Sequence, residues 1–171
     1  MDSIINKVAQ SELITIDLAD YIPNIDLFAS FDIKDFLFKE LILKEKDFRL
    51  ALSNFDWNQY TGKYVSVYCS TDAIIPVWAY MLVSSCVTLY AKSVFLGTKE
   101  EHFKYVFINN IYTISTNEYL DKKVVIKGCG EIHIPEYAFL EITTLLMPLV
   151  KSLMYGEPCS TVPIYKKSKI V

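Results

Sequence analysis

Four cysteines carry most of the chemistry this sequence could do: Cys69, Cys86, Cys129 and Cys159. Glycine is scarce, five in 171 residues, against a usual share of about 7 %. Three of the five flank cysteines: Gly128 and Gly130 bracket Cys129, and Gly156 lies just before Pro158-Cys159. Glycine permits unusual backbone angles and close approach, so these segments read as shaped turns. Three thiolates suit zinc or an iron–sulfur cluster, and a histidine or carboxylate commonly completes such a set. Cys69, Cys129 and Cys159 are therefore candidate metal ligands, with His133, Asp72 or Glu157 as the fourth. A second chemistry is a thiol nucleophile or a sulfur or acyl carrier, with Cys69 first in line because it precedes a predicted helix. The plain alternative is that all four are small buried hydrophobes, since free cysteine is among the most buried residues. Gaps of this length match no zinc-finger, ribbon or CxxC pattern.

Other constellations are thin. Gly128-Cys129-Gly130 lacks the third glycine of a dinucleotide fingerprint, and no P-loop, GxSxG or HExxH occurs. The two histidines leave little room for a Ser-His-Asp triad. His102 follows Glu100 and Glu101 and reads as solvated; His133 alternates with Ile132 and Ile134 and reads as a surface or hydrogen-bonded side chain. Asp72 reads first as a helix cap, and Cys86 as packing inside an apolar helix.

These groups need elements to position them. Ile14, Ile16 and Leu18 alternate with polar neighbours, as in a short strand, and Phe31 to Leu43 is dense enough in apolar residues for a helix from about Asp35. Phe48, Leu52 and Phe55 have helical spacing behind Lys44-Glu45-Lys46-Asp47, and residues 54–62 read as a loop. Tyr64–Tyr68 reads as a strand ending at Cys69, with Ser70, Thr71 or Asp72 capping the next helix and Pro76 in its first turn. Ser93–Leu96 is a strand ended by Gly97, and Glu100 to about Ile114 a helix. Lys123–Lys127 is a strand, followed by a helix from Pro135 to about Met154 with Leu140, Leu145 and Leu149 on its apolar side. Thr161–Tyr165, with Pro163, reads as an edge strand. No internal repeat is expected, and no linker rich in Gly, Ser or Pro.

Strands alternating with helices predict an α/β fold: a single layered domain over 1–171 with a mostly parallel sheet and flanking helices. In it an N-terminal α+β portion (1–60) packs on a βαβαβα portion (61–165), and 166–171 form a basic tail. If the strands ending at Cys69 and near Cys129 are neighbours, both sulfurs face one crevice at the strand ends, where open α/β sheets bind ligands.

Composition narrows the function classes. Hydrophobic residues make up 52 % and charged residues 22 %, as in ordered globular proteins. With 17 Lys+Arg against 20 Asp+Glu, a net charge of −3 offers no footprint for nucleic acid. Met1 to Lys7 lacks the basic start and apolar run of a secretion signal, so a cytoplasmic protein with reduced thiols is expected. Ala73–Ala91 carries no charge but holds Pro76, Ser84, Ser85 and Thr88, and reads as a buried helix rather than a membrane span. The aromatic-rich first half could form a homodimer or protein-partner surface.

Three long strings resemble an uncharacterised bacterial family, domain of unknown function 2480 (DUF2480). They are the run from Tyr68-Cys69-Ser70-Thr71-Asp72 to Trp78-Ala79-Tyr80-Met81, Val125-Ile126-Lys127-Gly128-Cys129, and Met154-Tyr155-Gly156-Glu157-Pro158-Cys159-Ser160-Thr161-Val162-Pro163. Ile42–Arg49 and Trp57–Val65 extend the resemblance over nearly the whole chain. It implies no activity and only an association with iron–sulfur assembly. Together with the cysteines, it leads to the expectation of a metal-binding accessory protein in iron–sulfur or sulfur metabolism. A thiol carrier enzyme and a non-catalytic dimeric binding module are the alternatives.

Overall fold

A computed structural model describes residues 13–127, 130 and 132–168. Its contacts group the chain into two compact units: Asn24–Val106, and Met1–Pro23 with Phe107–Val171. The strands are mostly parallel and flanked by helices, as an α/β fold requires. They are divided between two sheets, where the alternation in the sequence suggests one.

The 24–106 unit holds a parallel sheet of order β2-β3-β4, formed by Phe28–Asp32, Tyr64–Tyr68 and Ser93–Leu96. β3 is central and buried along most of its length, as its Val-rich run predicts. Helix α1 (Glu45–Ser53) buries Phe48 and Leu52, and α2 (Val77–Val87) buries Ala79, Val83 and Val87. No helix forms over Phe31–Leu43. Asp32 instead caps a 3-10 turn (Ile33–Phe36), and a tight turn follows with Lys39 and Glu40 at positive φ. Several aromatics of the first half pack in the core of this unit, where Phe31 stacks on Phe36 and Trp57, and Phe55 on Tyr60, while Phe38 is exposed. Ser70, Thr71 and Asp72 do not cap α2, whose N-cap is Pro76, with no side-chain hydrogen bond.

The other unit has a sheet of order β1-β5-β6-β7: Leu13–Ile16, Lys123–Ile126 and Ser152–Glu157 run parallel, and Ser160–Lys166 is antiparallel. Helix α3 (Lys99–Tyr112) leads into this unit, and α4 (Glu136–Leu146) crosses between β5 and β6 in sequence. The single long helix expected over 135–154 is therefore shorter. Pro148 follows its C-terminus and the chain re-enters as β6, and the buried side of α4 is Ala138, Ile142 and Leu146, while Leu140 is exposed. Pro163 is accommodated in β7 at an edge, beside a register shift opposite Leu153 and Met154.

The chain does contain an internal repeat. Residues 45–97 and 104–156 align without a gap, each 59 positions after its counterpart. Phe48 and Phe107, Val65 and Val124, Pro76 and Pro135, Ala79 and Ala138, Lys92 and Lys151, and Gly97 and Gly156 coincide. The backbone repeats with them. Gly62 N–H donates to Tyr90 O (3.0 Å) as Asp121 N–H does to Leu149 O (2.9 Å), and Lys92 N–H donates to Lys63 O as Lys151 N–H does to Lys122 O, both at 2.8 Å. Gly97 and Gly156 both adopt positive φ. The first strands also match. Ile16-Asp17-Leu18-Ala19-Asp20-Tyr21 and Phe31-Asp32-Ile33-Lys34-Asp35-Phe36 each end a strand on an aspartate that caps a 3-10 turn. The leading strands run in the order β1, β2, whereas the βαβ segments that complete their sheets come in the reverse order. One unit is thus nested in the sequence of the other, with few identities, which hides the repeat.

Candidate functional site

The unit built on β1, β5 and β6 has a cleft of about 880 Å³ at the C-terminal ends of these parallel strands. This is where open α/β sheets present their ligand sites, because the loops that follow the strands diverge there. Ile126, Leu153 and Met154 form its sheet floor, Phe139, Leu140 and Thr143 of α4 one wall, and Ile164 of β7 an edge. Ile132, His133 and Ile134 line it ahead of Pro135, which opens α4, and Glu136 follows in the first turn. The size and the mostly apolar lining are those of a small-molecule pocket.

Among the described residues its ion pair joins Asp17, just beyond β1, to Lys127, just beyond β5, at 2.5 Å. Asp17 also accepts the Ala19 N–H at 3.0 Å, so the carboxylate is fixed by its own turn as well as by the lysine. The hydrogen bond from Lys127, then that from Ala19, holds the Asp17 carboxyl below the usual carboxylate range. The same pair raises Lys127. In the other unit the matching Asp32 accepts the N–H groups of Lys34 (2.9 Å) and Ser70 (3.0 Å). Burial there pushes its carboxyl up, but the hydrogen bonds outweigh it and the net shift is downward. Each aspartate ties the end of one strand to the segment that follows its neighbour.

Two of the candidate metal ligands fall in different units. Cys69 follows β3 in the 24–106 unit, half-buried, and Cys159 is exposed on the turn between β6 and β7 in the other unit. Cys129 lies outside the described residues. β3 and β5 belong to different sheets, so the strand-neighbour relation that would have brought Cys69 and Cys129 to one crevice does not hold. Among the described residues no three His, Cys, Asp or Glu side chains stand together as a group that could hold a metal. Of the suggested fourth ligands, His133 lines the cleft and is exposed, Asp72 is exposed after β3, and Glu157 is half-buried at the end of β6.

His102 overturns its sequence reading. It is fully buried, not solvated, with Ser66 Oγ 3.2 Å from Nδ1 and Ser93 Oγ 2.9 Å from Nε2. Its ring stacks on Phe95 (centroids 5.0 Å apart) and meets Phe28 and Tyr64 edge-on. Burial lowers its pKa. A neutral imidazole donates from one nitrogen and accepts at the other, so two serines satisfy it completely. Ser66 is also fully buried, so this triplet holds β3, β4 and α3 together within its unit rather than facing a substrate. The helical spacing of Phe103 and Phe107 places residue 102 beside the apolar face, and that was the available signal.

Two further expectations meet the structure directly. Among the described residues, no helix is long and apolar enough to cross a membrane. Cys86 lies in α2 and packs against the apolar core of its unit, as expected. The chain belongs to the family described as protein of unknown function (DUF2480), whose model matches residues 2–167. No curated protein and no solved structure matches it.

Proposed function

We propose that the chain is a binding protein that takes a small, largely apolar molecule in the cleft at the ends of β1, β5 and β6. The observation that carries this is the cleft itself: about 880 Å³, walled by aliphatic and aromatic side chains, with its polar groups gathered at the strand ends. A ligand would lay its apolar body along Phe139, Leu140 and Met154 and present its head to Asp17, Lys127, His133 and Glu136. Among the described residues two carboxylates, Asp17 and Glu136, line it with one lysine, and Lys127 is already engaged by Asp17. A neutral or cationic head therefore fits better than an anionic one, because a carboxylate would have to displace the Asp17 partner or sit beside Glu136.

The test is a titration with the neutral fluorophore Nile red, followed by displacement with decanol, decylamine and decanoate. Saturable binding is expected, with decanol and decylamine displacing the dye at lower concentration than decanoate. Leu140→Lys, at an exposed wall position, should weaken dye binding about tenfold or more, since it sets a charge where apolar surface is buried. Unsaturable binding, or affinity unchanged in Leu140→Lys, would sink the proposal.

A further inference from the structure

The internal repeat identifies a surface that is covered in one unit and open in the other. β6 and β4 are counterparts, 59 positions apart. β6 is covered on its outer edge by antiparallel β7, whose Ile164 walls the ligand cleft. β4 is the edge of its own sheet, and among the described residues no strand pairs with it on that side. The equivalent groove, between β4 and α2, has a volume of about 610 Å³ and includes Met81, Ser84, Thr88, Leu89 and Leu96. Leu89 is 83 % exposed, Met81 67 % and Leu96 66 %.

We infer that a second copy of this chain occupies that edge. The two β4 strands pair antiparallel across a two-fold axis and join the sheets in the order β2-β3-β4-β4-β3-β2. An isologous contact sets a patch opposite itself, so the patch must tolerate its own image. This one does, because no residue lining the groove is charged. β4 also carries neither the proline nor the lysine that commonly keep an edge strand unpaired. Area is compatible: the three exposed residues, with the half-buried Tyr80, Val94 and Phe95, offer on the order of 600 Å² per copy, at the low end of the ~600–1,000 Å² per partner of a standard interface. The antiparallel sense copies the β6–β7 pairing.

Sedimentation equilibrium of the full chain from about 1 to 100 µM tests this, a range that brackets ordinary dimer affinities. The expected result is a dimer whose dissociation constant rises at least about 100-fold in Leu89→Lys/Leu96→Lys, with far-UV circular dichroism unchanged. Met81→Lys is the second variant, should the double change disturb folding. A monomer throughout the range, or a dimer with the same dissociation constant in the variants, overturns the inference.

Discussion

Replacing His102 by phenylalanine separates a buried polar triplet from simple packing. The phenyl ring keeps most of the stacking on Phe95 but leaves Ser66 Oγ, in a fully buried residue, without its partner. An unsatisfied buried hydroxyl costs about 1–3 kcal/mol. Ser93 is less buried and can recover water, so the loss should lie within that range. Changing both partners to apolar groups removes the penalty, so Ser66→Ala/Ser93→Ala/His102→Phe should regain more than half of it. Both tryptophans, Trp57 and Trp78, lie in the 24–106 unit, so the fluorescence transition in urea reports this unit. The pH dependence has a definite sign. Burial sets the folded-state pKa of His102 below its ordinary 6.5, so the unfolded chain binds more protons below that value. The group's contribution is complete above pH 6.5 and is lost as pH falls toward the lowered folded value, by at most about 1.4 kcal/mol per pH unit. The gap between wild type and His102→Phe should therefore narrow from pH 7 to pH 5. A constant gap, or a triple variant as unstable as the single one, would refute the buried-triplet reasoning.

Other outcomes follow from the same geometry. Gly156→Ala should destabilise by about 2–3 kcal/mol in thermal melts, because φ is +124° and a Cβ would meet Ser160 O at 2.5 Å. Gly62→Asn should stay within about 0.5 kcal/mol of wild type, since a Cβ there meets open space and its repeat counterpart Asp121 already adopts positive φ. Asp17→Asn removes a carboxylate whose pKa is lowered. Its stabilising effect is present above the ordinary 3.8 and is lost as pH falls through the lowered folded value, so the melting curves of variant and wild type should draw together as the pH is taken progressively below 3.8. For the thiols, exposed Cys159 should react with a disulfide reagent before half-buried Cys69 and Cys86. If the three cysteines hold a metal, elemental analysis of anaerobically purified protein should find about one zinc, or iron with sulfide, and Cys159→Ser should abolish it.

Elements whose signal is local were readable in the amino acids. α1 follows from Phe48 and Leu52, β3 from its alternating Tyr and Val, and β4 from a β-rich run stopped by Gly97. Elements that depend on a distant partner were not. Phe31–Leu43 has the apolar density of a helix, yet Asp32 caps a short turn after a strand paired with β3. The segment from Pro135 stays largely apolar on both sides of Pro148 and Lys151, so the break they mark was not read, and pairing with β5 makes Leu153 and Met154 strand. His102 looked solvated because it follows two glutamates, while its serines lie 36 and 9 residues away.

By itself, the sequence determined the mostly parallel α/β class and the family, because short-range patterning and long specific strings are properties of the chain alone. It also carried the repeat, as scattered identities 59 positions apart with no contiguous shared motif. The tertiary structure decided which strand joins which sheet, and with that the nesting of one unit in the other and the cleft between Asp17, Lys127 and α4. Strand pairing is a choice among distant, similarly apolar segments. Its free energy comes from backbone hydrogen bonds and shared burial, which no local window of residues contains.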